Sequence, residues 1–164
     1  MTAEEEEDAP RVVSASREIA AAPERIFELI ADPSQQPRWD GNDNLGEAQP
    51  GQRVRRVGDV FLMTLTAGSV RENHVVEFEE ARRIAWRPSE VGRPEPGHLW
   101  RWELSPLSGA GARTLVTHTY DWSLLTDDSR LPAARATTPD RLRASLDRLA
   151  ALAESAPDHP GRII

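Results

Sequence analysis

Apolar and polar positions alternate every two residues through the middle of the chain and recur at helical spacing near its end. Residues 11–19 (RVVSASREI) are rich in β-branched side chains with partial alternation, which predicts a strand. The period then changes. Ile26, Phe27, Leu29 and Ile30 form one apolar helix face, and Pro23 opens that helix where a missing N–H costs nothing. Glu24 favours the positive helix end, Asp32-Pro33 stops the helix, and residues 33–39 predict a second short helix closing at Trp39, Asp40 and Gly41. Six more strands follow at 52–57, 59–66, 69–78, 83–87, 98–105 and 113–123, separated by Gly, Pro or charged turns. Two connections are longer, 42–51 and the Pro/Gly-rich 88–97. The last element is a long helix, with Thr138 at the N-cap, Pro139 at its first position and Asp140 in its first turn. Leu142, Leu146, Leu149 and Ala153 recur at helical spacing beside Ser145 and Leu152, and Pro157 ends the pattern.

The order is strand, two short helices, six strands, long helix. A sheet with one apolar face needs a covering layer, and the terminal helix is the only element large enough. The expected fold class is therefore α+β: a curved seven-stranded antiparallel sheet wrapped around the long C-terminal helix. The two short helices between strands one and two cross one end of the sheet. Residues 11–156 read as a single domain between an acidic tail (1–10) and a C-terminal tail (157–164).

Strand parity assigns faces. In strand four, Val70, Glu72, His74, Val76 and Phe78 are the more apolar set and are expected inward. The same test points Ile84 and Trp86 inward, then His98, Trp100, Trp102 and Leu104, then Val116, His118, Tyr120 and Trp122. Strand three is ambiguous, because Val60/Leu62 and Phe61/Met63/Leu65 are both apolar. A turn near Gly109 sets Trp100 opposite His118 and His98 opposite Tyr120, and a turn near Ala81 sets Val76 opposite Trp86. Three of the four histidines, four tryptophans and the one tyrosine thus converge on a concave surface. Trp, Tyr and His carry polar atoms that need partners when buried, so such a surface fits a cavity holding water or ligand. The competing arrangement is a solid core in which every ring N–H is satisfied internally. Against it, the helix side offers mainly Leu, Ala and Ser145, side chains small enough to leave room.

Composition narrows the chemistry. The 164-residue chain has no cysteine, which excludes thiol nucleophiles, disulfides and cysteine metal sites. All 20 basic residues are arginine, so Schiff-base and P-loop lysine chemistry are excluded as well. A net charge of −7 argues against a nucleic-acid surface. No apolar run reaches the roughly 20 residues that span a bilayer, and the start of the chain is Glu-rich rather than basic, so stable membrane insertion is not expected and a cytoplasmic protein is. Gly109-Ala110-Gly111 lacks the third glycine of a dinucleotide loop, and no Gly-x-Ser-x-Gly elbow occurs.

The segments SREIAAAPERIFELIADPSQQPRWDG, GDVFLMTL with NHVVEFEEARRIAWRP, and GHLWRWELSPL with TLVTHTYDWS resemble the START-like, or SRPBCC, superfamily of helix-grip proteins, in its polyketide cyclase/dehydrase-like branch. The resemblance covers nearly the whole chain. It implies a deep pocket between sheet and long helix for hydrophobic or aromatic molecules, in a family of lipid carriers, hormone receptors and aromatase/cyclases that share no universal catalytic motif.

Combining both lines, the expected ligand-binding residues are His74, Trp86, His98, Trp100, Trp102, His118, Tyr120, Trp122 and Ser145. The leading expectation is a carrier or sensor for a small hydrophobic, ring-containing molecule. The alternative is a polyketide cyclase or dehydratase, with His118 (or His98) as general base and Tyr120 steadying an enolate. A third is an interaction protein that uses the acidic tail or the outer face. No cofactor is expected. No metal is expected either, because ligand nitrogens must lie within about 2.1 Å of zinc whereas His74 and His98 are a strand apart, about 9–10 Å between backbones.

Overall fold

Seven strands form one antiparallel sheet in the order β1-β7-β6-β5-β4-β3-β2. They are β1 (Val12–Ile19), β2 (Leu45–Glu47), β3 (Val60–Leu65), β4 (Val70–Glu79), β5 (Arg83–Glu90), β6 (Leu99–Pro106) and β7 (Thr114–Asp121). Helix α1 (Pro23–Ala31), a 3₁₀ turn (Pro33–Gln35) and α2 (Gln36–Trp39) connect β1 to β2. A second 3₁₀ turn (Asp128–Arg130), α3 (Leu131–Ala136) and the long α4 (Pro139–Glu154) follow β7. This is the helix-grip α+β fold, with the curved sheet around α4. The computed structural model describes residues 10–155. The expected acidic tail, apart from Pro10, and the expected C-terminal tail lie outside them.

Helix α4 buries Leu142, Ser145, Leu146, Leu149, Ala150 and Ala153, the stripe its periodicity predicts. Each fully buried leucine contributes about 1.5–3 kcal/mol, which makes this stripe the main cover of the sheet. Thr138 occupies the N-cap position without a side-chain bond, and its carbonyl accepts from the N–H groups of Arg141 and Leu142 instead. At the other end, Arg25 of α1 donates to the carbonyls of Leu152, Ala153 and Ser155, satisfying orphan acceptors where the helix dipole is negative.

Strand two lies elsewhere than expected. Residues 52–57 join no ladder, and the chain bends at 56 and turns from 57. The Val54 N–H donates to Ala31 at the end of α1, and Arg53 bridges Glu28 and Glu80. The Gln52 side-chain amide pairs with both backbone groups of Leu62, doing by side chain what a neighbouring strand would do by backbone. The edge strand is Leu45–Glu47, in a stretch expected as a connection. Helix α3 was likewise not anticipated, although Asp127 accepts from Ser129 in the same Asp-x-Ser turn by which Asp32 starts the earlier 3₁₀ segment.

The faces of β4 differ from simple parity. Val75 pairs with Trp86 but Glu77 pairs with Ala85, so Val76 is an unpaired bulge residue and the strand turns over at that point. Before it, Arg71, Asn73 and Val75 face inward; after it, Phe78 does, meeting Phe27 edge-on at 5.7 Å. Val70 and Val76 are partly exposed, not core. In β3 the ambiguity resolves to Phe61 and Met63 inside, with Val60 and Leu62 outside. The β6–β7 hairpin turns at Ala110 rather than Gly109, which slides the register by two: Trp100 lies opposite Tyr120 and Trp102 opposite His118. The expected neighbours Trp86 and Trp100 are paired.

The loop after α2 approaches α4 so closely at Gly41 that an added Cβ would lie 2.5 Å from the Ala144 backbone carbon. Gly41→Ala is expected to lower unfolding free energy by about 1–3 kcal/mol through overpacking, measured by urea denaturation.

Candidate functional site

A cavity of about 410 Å³ lies between the sheet and the first turns of α4. One cross-sheet row forms its floor, Trp86 of β5, Trp100 of β6 and Tyr120 of β7, with the rings of Trp100 and Tyr120 4.4 Å apart. Leu142 and Ser145 close it from the helix. The rim consists of the exposed turn 42–44, Ala133 and Thr137 around α3, and Arg141. Asp40 shapes that rim, since its buried carboxylate accepts from the N–H groups of Asn42, Asn44 and Leu45. The Ser145 hydroxyl oxygen accepts from Gly41 N–H, so loop and helix are tied at the mouth.

Of the nine residues expected to bind ligand, Trp86, His98, Trp100, His118, Tyr120 and Ser145 line this cavity. Three do not. His74 lies on the opposite face of β4 because the bulge falls after it, and its Nε2 meets Ser89 Oγ at 3.1 Å with Glu72 at 3.9 Å. Trp102 is fully buried in the next row, edge-on to His118 at 3.7 Å and to Trp39 at 5.0 Å. Trp122 donates its N–H to the Pro10 carbonyl and carries Arg11 over its ring. Trp122 fits the solid-core arrangement, its N–H satisfied internally, whereas Trp102 is packed among rings with its buried Nε1 left without a partner among the described residues.

Parity missed Asn73 and Arg71, which the bulge turns inward, and Arg130, which sits in a segment assigned no element. Trp39 and Gln36 also reach the cavity while serving the fold, through hydrogen bonds to the Leu29 and Ile30 carbonyls.

Several polar groups here have no protein partner among the described residues. The Nδ1 atoms of His98 and His118 are buried without a hydrogen bond. Burial pushes His118 down to about 3. His98 is pushed down to about 4, mainly by burial and further by the charges of Arg130, Arg71 and Arg87. Both imidazoles are therefore neutral near pH 7. Burial raises the Tyr120 phenol to about 12, so it remains a donor. No cluster of three or more His, Asp or Glu side chains able to hold a metal occurs among the described residues.

Residues 10–154 match the family described as polyketide cyclase / dehydrase and lipid transport. The chain belongs to that family. Its function class is accordingly ligand binding or a polyketide cyclase-like role. No curated protein matches the sequence significantly. Among solved structures, protein CV1439 from Chromobacterium violaceum is 20% identical with a TM-score of 0.59, over 90% of this chain and 100% of its own. The Aha1 dimer from Colwellia psychrerythraea is 18% identical with a TM-score of 0.61, over 88% and 96%. DynU16, a protein in the dynemicin biosynthetic locus, is 20% identical with a TM-score of 0.58, over 89% of this chain and 48% of its own. At these identities the likeness establishes the shared fold alone. No helix of the described residues is long and apolar enough to cross a membrane.

The buried neutral histidines make stability depend on pH. An unfolded histidine takes up a proton below about pH 6.5, whereas the folded His118 and His98 refuse it until about 3 and 4. Stability is thus full above about pH 6.5 and falls as pH drops from there towards 4. In urea denaturation at pH 7, 6 and 5, His118→Leu is expected to fall less steeply than the parent, by up to roughly 1 kcal/mol per pH unit. An unchanged slope would contradict a buried, neutral His118.

Proposed function

We propose that the chain is a carrier or sensor that holds a small hydrophobic or aromatic molecule in the cavity between sheet and α4. One observation carries this reading: a void of about 410 Å³ whose floor is Trp86 and Trp100 and whose buried polar groups lack partners. A protein interior normally satisfies its buried hydrogen-bonding groups, and each one left open costs about 1–3 kcal/mol. A guest with apolar rings and a few oxygens supplies the missing contacts, and the volume lies in the range of ordinary small-molecule sites.

The second reading, a cyclase or dehydratase in the same cavity, draws support from the family description and from Tyr120, a neutral phenol able to hydrogen-bond an enolate oxygen. Its weak point is the base. A general base works best with a pKa near the operating pH, and His118 is held near 3. As a neutral imidazole it serves better as a hydrogen-bond partner than as a proton acceptor.

Titration of tryptophan fluorescence with a panel of polyphenols, sterols and fatty acids tests the carrier reading. A saturable change is expected for at least one class, weakened at least tenfold by Trp100→Ala, equivalent to about 1.4 kcal/mol or more. No saturable change with any of them would sink the carrier. For the enzyme reading, His118→Ala that folds, binds and still turns over a poly-β-ketone at the parent rate would eliminate His118 as base.

A further inference from the structure

The aromatic floor accounts for an apolar guest but not for the charge at one end of the cavity. Two arginines reach that end from different elements, Arg71 from the inward side of β4 and Arg130 from the turn before α3. Among the described residues Arg71 has no ion pair and its guanidinium no hydrogen bond; its acidic neighbour is Glu90, directly across the strand pair. Arg130 is only partly held, with Glu90 at 3.6 Å and Asp127 at 3.4 Å. Neither of those acids lines the cavity, and both are substantially exposed.

The acids that do line it offer little compensation. The Asp40 carboxylate is engaged by three backbone N–H groups, and Asp43 lies exposed on the rim. The two aromatic groups at the same end register the imbalance. His98 is lowered by Arg130, Arg71 and Arg87 in addition to burial, and Arg130 draws Tyr120 down against the effect of burial; no carboxylate acts on either ring. Arg71 itself is lowered by burial and by its neighbour Arg130. Two guanidinium groups close enough to repel, partly desolvated and short of counter-charge, form an incomplete arrangement in a protein whose net charge is −7. Beside them the Asn73 amide and the Tyr120 hydroxyl, both in the lining, have no protein partner among the described residues.

We propose that the guest is an amphipathic acid, its apolar body lying along Trp86 and Trp100 and its carboxylate received by Arg71 and Arg130, with Asn73 and Tyr120 as neutral donors beside it. This rests on the binding reading above and specifies its ligand class. Guanidinium groups suit the role because their planar donors match a carboxylate's two oxygens and remain charged when partly buried.

Matched pairs that differ only in charge test it: 2-naphthoic acid against 2-naphthamide, and 4-phenylbutyric acid against 4-phenylbutanamide, titrated calorimetrically into the full chain at pH 7.5. Each acid is expected to bind at least tenfold tighter than its amide, with added salt weakening the acid only. Arg71→Gln and Arg130→Gln should each shrink that preference at least threefold, and together bring acid and amide to parity while amide affinity is retained. Equal affinity of acid and amide for the unaltered chain would overturn the acid proposal and leave the binding reading standing. Binding of neither member of either pair would count against both. An acid preference that survives in a folded double variant would overturn the assignment to these two arginines. The comparison on the unaltered chain is informative even if a variant fails to fold.

Discussion

Strand β4 cannot keep one set of side chains inside along its whole length, because Val76 has no partner on β5. The extra residue turns the strand over. It lets Phe78 pack beside Phe27 in the core while Arg71 and Asn73, only a few residues earlier, face the opening above Trp86. A β-bulge increases local twist and bends the strand that carries it, which a sheet curling around a helix requires. The same unpaired residue thus serves the curvature and installs polar groups in the cavity wall. Without it, parity would place His74 and Glu72 there, and both instead lie on the other face.

The interior has two halves with different packing. Towards the end of α4, Leu146, Leu149 and Ala153 lie with Ile19, Ile26, Phe27, Ile30 and Trp102 in a continuous buried cluster, whereas Trp122 lies past Tyr120 at the other end of β7, against Pro10 and Arg11. Towards the start of α4, Leu142 and Ser145 face Trp86, Trp100 and Tyr120 across an open space. The difference follows from what each side brings. Aliphatic side chains from α1 fill the first half, whereas the second is covered by a rim loop whose Asp43 and Asn44 carbonyls accept from Thr66 beside the end of β3. Asp40 gathers three N–H groups of that loop, and Gly41 permits its close approach to Ala144 and Ser145.

Neutrality of the cavity's histidines belongs to the same architecture. Removing His118 from water penalises its charged form, and no acid stands near enough to oppose that. Around His98 three arginines act in the same direction as burial. The cavity therefore offers neutral imidazoles and a neutral phenol together with permanent positive charge from arginine. That division favours recognition of a guest over proton abstraction from it.

Much of the architecture was legible in order and period: a strand, two short helices, a run of strands and a terminal helix with Pro139 at its start and a leucine stripe along one side. So were the inward sets of β6 and β7 and the meeting of Trp86 with Trp100, because a strand's two-residue period is local and survives folding unchanged. What depended on tertiary structure was everything set by counting between strands. The β6–β7 hairpin moved by a single turn residue and shifted the partners of Trp100 and Trp102 by two residues along β7; one unpaired valine reversed half of β4. The edge strand formed at 45–47 because Val54 and Arg53 found partners on α1 and on the β4–β5 turn, a contest between distant groups that no local pattern records. Side-chain period is a property of the backbone, whereas register and the placement of a void are decided by which distant surfaces fit together, and that fit brought Arg71 and Arg130 to the same corner.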